Sequence, residues 1–132
     1  MPSSVARTPT ASGVPGLDTA YVNTARARSL AALGAYEQAA ADFDNAIAML
    51  PPAYRRDRGV YLARAARAHA GTGNMSLAAR IGAQAVGIAA ETGSARIFHQ
   101  LDHLDQALAP ASGEDGVAEF RASLDRIVLH PA

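Results

Sequence analysis

Two histidines in the segment HQLDH, residues 99–103, have a spacing that could bind a metal ion. His99 and His103 are four residues apart, so on a helix they lie on one face, where two imidazoles can share an ion. A catalytic zinc site needs a third protein ligand, and the sequence offers none at a clear spacing. The absence of cysteine excludes thiolate ligands. We therefore interpret both histidines as surface residues on a polar helix face and expect no metal and no other cofactor.

The sequence also lacks the usual signatures of catalysis. It has no GxSxG nucleophile motif and no glycine-rich loop placed after a strand to hold phosphates. The segment GTGN, residues 71–74, contains glycine but falls between two predicted helices. We expect a non-enzymatic protein without catalytic residues. A metal-dependent enzyme that uses His99 and His103 is the least favoured alternative.

Arginine supplies all of the basic charge. The chain has 12 basic residues, every one an arginine, and 12 acidic residues. The resulting net charge of zero gives no overall indication of nucleic-acid binding. Five arginines fall between residues 55 and 67. One interpretation is a solvated face that Asp57 and nearby acids partly neutralise; the other is a cationic binding surface.

The chain contains an internal repeat with a shift of 39 residues, from Gly34 to Gly73. Residues 34–51 read GAYEQAAADFDNAIAMLP and residues 73–90 read GNMSLAARIGAQAVGIAA, with the glycine and three alanines in common. A period of this length, with a turn glycine in each unit, indicates helix pairs that stack on one another. Apolar residues at helical spacing extend the prediction to about six helices.

The ends of these helices have recognisable sequence signals. Gly34 is predicted to take the left-handed conformation that often ends a helix. Expected N-caps are Asp18 or Thr19 for the first helix, Ser76 for the fourth and Ser94 for the fifth, because short polar side chains accept hydrogen bonds from the free N–H groups of the first turn.

The first copy of the repeat resembles the tetratricopeptide repeat. The family pattern of turn glycine, aromatic, alanine, large residue, alanine and closing proline is present as Gly34, Tyr36, Ala39, Phe43, Ala46 and Pro51. The second copy departs from it, with Gly82 where the large residue belongs and Ala90 in place of the proline. The resemblance covers residues 20–91. It implies an all-α fold, a short α-solenoid of antiparallel helix pairs, that binds another protein through a concave groove.

The resemblance also implies which side chains face that groove. Arg28 and Arg67 are equivalent under the 39-residue shift, and in the family this place on the first helix of each pair faces the groove. If the fifth helix continues the series, His99 or His103 joins the row. A groove lined by Arg28, Arg64, Arg67 and a histidine would favour an acidic peptide or a terminal carboxylate. The family's carboxylate clamp uses lysine, which this chain lacks, so that clamp is not carried over.

Two longer segments resemble the C-terminal repeat region of actinobacterial helix-turn-helix transcriptional regulators. They read YRRDRGVYLARAARAHAGTGN and AAETGSARI. The resemblance implies the regulatory or sensor part of such a regulator, or a relic of one. No helix-turn-helix lies in this chain, so we expect no specific DNA binding by the chain itself. The alternative is a stand-alone adaptor or assembly factor for a partner enzyme.

The chain divides into a predicted tail and one predicted domain. Residues 1–17 are rich in Ser, Thr, Pro and Gly and predict a disordered tail or linker, and residues 18–129 predict the helical repeat domain. No apolar run approaches the roughly 18 residues of a membrane span, and we expect a cytoplasmic protein without membrane contact. The apolar stripe of the last helix, which includes Phe120 and Leu124, could pair with a second copy to form a homodimer.

Overall fold

The computed structural model describes residues 16–129, and within this range the protein is all-helical. The six α-helices are α1 (Leu17–Ala32), α2 (Tyr36–Met49), α3 (Arg55–Gly71), α4 (Met75–Thr92), α5 (Ala95–Leu108) and α6 (Val117–Leu129). A short 3-10 helix, Ala109–Ala111, follows α5. The prediction of an all-α fold with about six helices is confirmed.

The predicted tail meets the domain at the start of α1. Leu17, which the sequence placed at the end of the tail, is the first residue of α1 and is buried. Residues 1–15 lie outside the described residues, so the prediction of a disordered tail falls on a part of the chain that the structure does not describe.

The turns between α1 and α2 and between α3 and α4 have the same geometry. Gly34 and Gly73 both have positive φ, 80° and 91°, as the left-handed end of a helix requires. After Gly34, the N–H of Ala35 donates to Leu30 O at 2.8 Å; after Gly73, the N–H of the next residue donates to His69 O at 3.0 Å. These bonds are related by the 39-residue shift, so the sequence repeat is also a repeat of local structure.

Two of the predicted N-caps are wrong. Gly16 precedes α1 without a side-chain cap, because the helix begins ahead of Asp18. Asn74, not Ser76, caps α4, and its Oδ1 accepts from Leu77 N at a long 3.4 Å. Ser76 is already inside the helix, where its hydroxyl cannot serve the first turn.

The predicted cap of α5 is confirmed. Ser94 Oγ accepts from Ile97 N, also at 3.4 Å.

Helix α3 lies at the centre of the packing. It contacts α2, α4 and α5, while α1 packs on α2, and α6 packs mainly on α4. The alanines that the repeat places between paired helices have no exposed surface: Ala39, Ala46, Ala78 and Ala85. Since a methyl group occupies little space, these positions allow the helices to approach closely. Within residues 16–129, no helix combines the length and apolar character needed to cross a membrane.

Large side chains fill the C-terminal half of the core. The helices α5 and α6 contribute six fully buried ones: Ile97, Leu101, Leu104, Leu108, Val117 and Phe120. Gly82 on α4 makes room for them, because a Cβ there would lie 2.6 Å from Leu104 Cδ2 and 2.9 Å from Phe120 Cε1. Leu104 of α5 and Phe120 of α6 therefore fill the space beside Gly82.

The apolar stripe of α6 is largely covered by the chain's own core. Phe120 and Leu124 are buried in the same cluster as residues of α4, and Ile127 is partly buried against it. Val128 is 57% exposed. Pairing of two copies through Phe120 and Leu124 would thus require α6 to detach from the core. The homodimer stays a prediction, but the apolar stripe of α6 no longer supports it.

Candidate partner-binding groove

A groove with a volume of about 510 Å³ opens between α1, α2, α3 and α5. We call it the binding groove. Its apolar part is formed by Ala31, Tyr36, Phe43 and Ala68, among others, and its polar part by Arg28, Arg64, Arg67, Gln100 and His103. The two parts lie in one cavity, so a single ligand can contact both.

The structure brings together four of the five predicted groove residues. Arg28 comes from α1, Arg64 and Arg67 come from α3, and His103 comes from α5. Arg64 and Arg67 share a side of α3 because residues three apart on a helix are neighbours. The three arginines converge on the groove from two helices, as the 39-residue equivalence of Arg28 and Arg67 predicts.

The fifth predicted residue, His99, lies beside the binding groove. It lines an adjoining cavity of about 300 Å³ together with Val60 and Arg96. Arg64 and Gln100 line both cavities, so the two form a continuous strip. His99 and His103 are in edge-to-face contact, with ring centroids 4.7 Å apart.

The groove carries positive charge that nearby acids do not neutralise. None of the residues between 16 and 129 that line it is Asp or Glu. Burial, together with the positive charges of Arg28, Arg96 and Arg67, lowers the pKa of Arg64. A half-buried cation among other cations favours an anion in the same space.

Arg67 is held in place by a residue that the sequence interpretation did not place in the groove. Its Nη1 donates to Gln100 Oε1 at 2.7 Å. Gln100, His103 and Ala107 all line the groove, and their spacing of three and four residues puts them on one face of α5. The spacing shows that Gln100 shares a helix face with His103. It does not show that this face lines the groove, because that depends on how α5 is oriented against α3.

Two arginines of the run at 55–58, Arg55 and Arg58, contact other parts of the fold and lie outside the groove. Arg55 forms an ion pair with Glu91 at 2.7 Å, and Arg58 Nη2 donates to Leu50 O at 3.2 Å. The side-chain hydrogen bonds with Glu91 raise the pKa of Arg55. For this part of the run, the interpretation as a solvated and partly neutralised face fits the contacts. Of the five arginines between residues 55 and 67, only Arg64 and Arg67 line the groove.

The histidine pair gains no third metal ligand from the fold. In the described part of the chain, no group of three or more His, Asp or Glu side chains is placed to hold a metal ion. The remaining described histidine, His69, is half-buried and lies 3.1 Å from Asp44, on α2.

No family model, curated protein or solved structure matches this chain. The groove and its charges are therefore the observations from which a function has to be argued.

Proposed function

We propose that this chain is a non-enzymatic protein-interaction module that binds an acidic segment of a partner protein in the binding groove. The observation that carries the proposal is the convergence of Arg28, Arg64 and Arg67 on one groove whose described lining has no carboxylate. Arginine presents a planar fork of donors that matches a carboxylate. Each partly desolvated contact of this kind contributes about 1.5 to 3 kcal/mol.

We further propose that the architecture is a short α-solenoid of antiparallel helix pairs of the tetratricopeptide type. The matching turns at Gly34 and Gly73 support it, as do the buried alanines at repeat-equivalent positions. Adjacent helices in such an array lie about 10 Å apart. Arg28 and Arg67 would then contact acidic groups a few residues apart on an extended peptide, which rises about 3.3 Å per residue.

The setting that we favour is the cytoplasmic regulatory or sensor part of a transcriptional regulator. It rests on the resemblance of two segments to the repeat region of such regulators. A pull-down from native lysate tests it: DNA-bound proteins among the partners would support this setting. One dominant enzyme would instead indicate a stand-alone adaptor or assembly factor.

Substitutions in the groove test the binding mode once a partner is recovered. We expect Arg28→Ala and Arg67→Ala each to weaken binding of the partner at least about tenfold. The loss should be smaller at high salt, because salt screens the contacts. Arg126→Ala is the control, since Arg126 is exposed on α6 away from the groove. An equal loss from Arg126→Ala would mean diffuse electrostatic attraction and would contradict the groove assignment.

A further inference from the structure

The polar end of the binding groove consists mainly of hydrogen-bond donors. The guanidinium groups of Arg28, Arg64 and Arg67 have donors and no acceptors. Gln100 offers its carbonyl oxygen to Arg67, which leaves its amide N–H groups as further donors. Among residues 16–129, Arg28 and Arg64 form no side-chain hydrogen bond or ion pair. A ligand of this site must therefore bring the acceptors.

The number of positive charges also constrains the ligand. Arg96 in the adjoining cavity is paired with Asp57 at 3.8 Å, whereas the described lining of the groove has three arginines and no acidic residue. One carboxylate brings a single negative charge, which leaves most of their mutual repulsion uncompensated. A phosphomonoester carries about −1.5 to −2 at pH 7 and has three strong acceptor oxygens. Its geometry suits the paired donors of several guanidinium groups.

We propose that the binding groove takes a phosphorylated side chain of the partner protein, with the phosphoryl group held by Arg28, Arg64 and Arg67. This inference rests on the proposed function, because it specifies which acidic group the groove binds. It differs from a carboxylate clamp in favouring a group of charge near −2 over a single carboxylate.

The stem of such a side chain would pack against the apolar end of the groove, where Tyr36 is 40% exposed. The Tyr36 ring lies directly over Gly71, where an added Cβ would be 2.5 Å from Tyr36 Cγ. Phe43 is 2% exposed and forms part of the groove floor. The adjoining cavity, reached past Arg64, gives room for residues that flank the phosphorylated one. This continuity favours a segment of extended chain over a free phosphate.

Small probes separate the charge requirement from the apolar contact. Binding of phenyl phosphate, phenylacetate and inorganic phosphate to the full chain is measured by NMR titration at constant ionic strength. We expect phenyl phosphate to bind at least about tenfold more tightly than phenylacetate, because the ring is the same and the charge is nearly doubled. Inorganic phosphate, which has no ring, should bind more weakly than phenyl phosphate.

A matched pair of variants places the binding in the groove. Arg64→Gln should weaken the binding of phenyl phosphate about tenfold. Arg80→Gln removes the same charge from an exposed position outside both cavities and should change the affinity less than about twofold. Equal affinities for phenyl phosphate and phenylacetate, or equal losses in the two variants, would overturn the phosphoryl assignment.

Peptide pools distinguish a protein segment from a small organic phosphate. One pool has phosphotyrosine and the other glutamate at the centre, with the same random flanks. We expect the phosphotyrosine pool to displace phenyl phosphate at a concentration about tenfold below that of phenyl phosphate itself. If the phosphotyrosine pool binds no more tightly than phenyl phosphate, the ligand is a small organic phosphate, and the proposal of a protein segment is overturned. If only the glutamate pool binds, the phosphoryl inference fails while the proposed function stands; if neither pool binds, both fail.

Discussion

Gly82 provides a sharp test of the packing because α4 contains a second glycine for comparison. An added Cβ at Gly82 would lie 2.6 Å from Leu104 Cδ2 and 2.9 Å from Phe120 Cε1, whereas one at Gly87 would meet nothing within 4 Å. Both glycines are inside the same helix, so replacement by alanine brings the same gain in helix propensity, about 0.8 to 1 kcal/mol. The difference between the variants therefore isolates the contact with α5 and α6.

The size of this difference follows from how tightly the neighbours are held. Leu104 is 0% and Phe120 1% exposed, so neither side chain can move aside without disturbing the core. Overpacking a well-packed core costs about 1 to 3 kcal/mol. We expect Gly87→Ala to be stabilised by somewhat under about 1 kcal/mol. Gly82→Ala should be about 1 to 3 kcal/mol less stable than Gly87→Ala.

Thermal unfolding followed by circular dichroism measures the difference. For a domain of this size, 1 kcal/mol corresponds to roughly 3 to 6 °C in Tm, so the variants should differ by at least about 3 °C. Leu104→Ala by itself costs about 2 to 5 kcal/mol. In that background the cost of adding Gly82→Ala should be smaller, because the closer of the two contacts is gone and the Phe120 ring can shift into the space left by Leu104. If Gly82→Ala raises Tm as much as Gly87→Ala, the close approach of α4 to α5 and α6 is refuted.

Three further predictions concern the repeat, the corrected cap and self-association. Ala46→Leu should lower the free energy of unfolding by about 1 to 3 kcal/mol, because Ala46 has no exposed surface and packs among buried residues; an unchanged melt would contradict the repeat register. Asn74→Ala should cost about 0.5 to 2 kcal/mol, and Ser76→Ala much less, since only Asn74 caps α4; the reverse order in denaturant titration would restore the sequence assignment. Sedimentation over a range of concentrations should show a monomer, because most of the apolar stripe of α6 is buried in the chain's own core. A concentration-dependent dimer would favour pairing through that helix.

The helices were predictable from sequence because their signals are local. The apolar spacing and Ser94 define α5 over the residues that the structure gives, and Gly34 marks the end of α1 through its backbone freedom alone. The cap of α4 was missed because Ser76 and Asn74 are both good caps. Asn74 is the cap because the hydrogen-bonded turn after α3 ends at this residue and α4 begins directly after it.

The groove was predictable only in the part that the repeat fixes. The 39-residue shift that relates Arg28 to Arg67, together with the resemblance to the tetratricopeptide repeat, predicts that both line one groove. The bond from Arg67 to Gln100 joins two helices, and no local pattern encodes such a pair. The separation of His99 from His103 into adjoining cavities has a similar origin, because it depends on how α5 is rotated against α3. The packing of Phe120 against Gly82 could likewise not be predicted, because the sequence does not show which helix lies opposite α4.

We propose that the grouped arginines of the groove, and not the overall charge, bind an acidic partner. Two variants remove the same charge. The groove variant replaces three lining arginines by glutamine: Arg28, Arg64 and Arg67. The control variant replaces three exposed arginines outside both cavities: Arg56, Arg80 and Arg126.

The most direct measurement is the fluorescence anisotropy of a labelled hexaglutamate peptide with the wild-type chain and both variants at physiological salt. Circular dichroism first establishes that both variants are folded. We expect the groove variant to bind at least about tenfold more weakly than the wild type, because direct charged contacts are lost. The control should stay within about twofold, because its arginines lie outside both cavities and act on a peptide in the groove only through screened, long-range attraction. Equal weakening in the two variants, or no binding by the wild type, would contradict the claim.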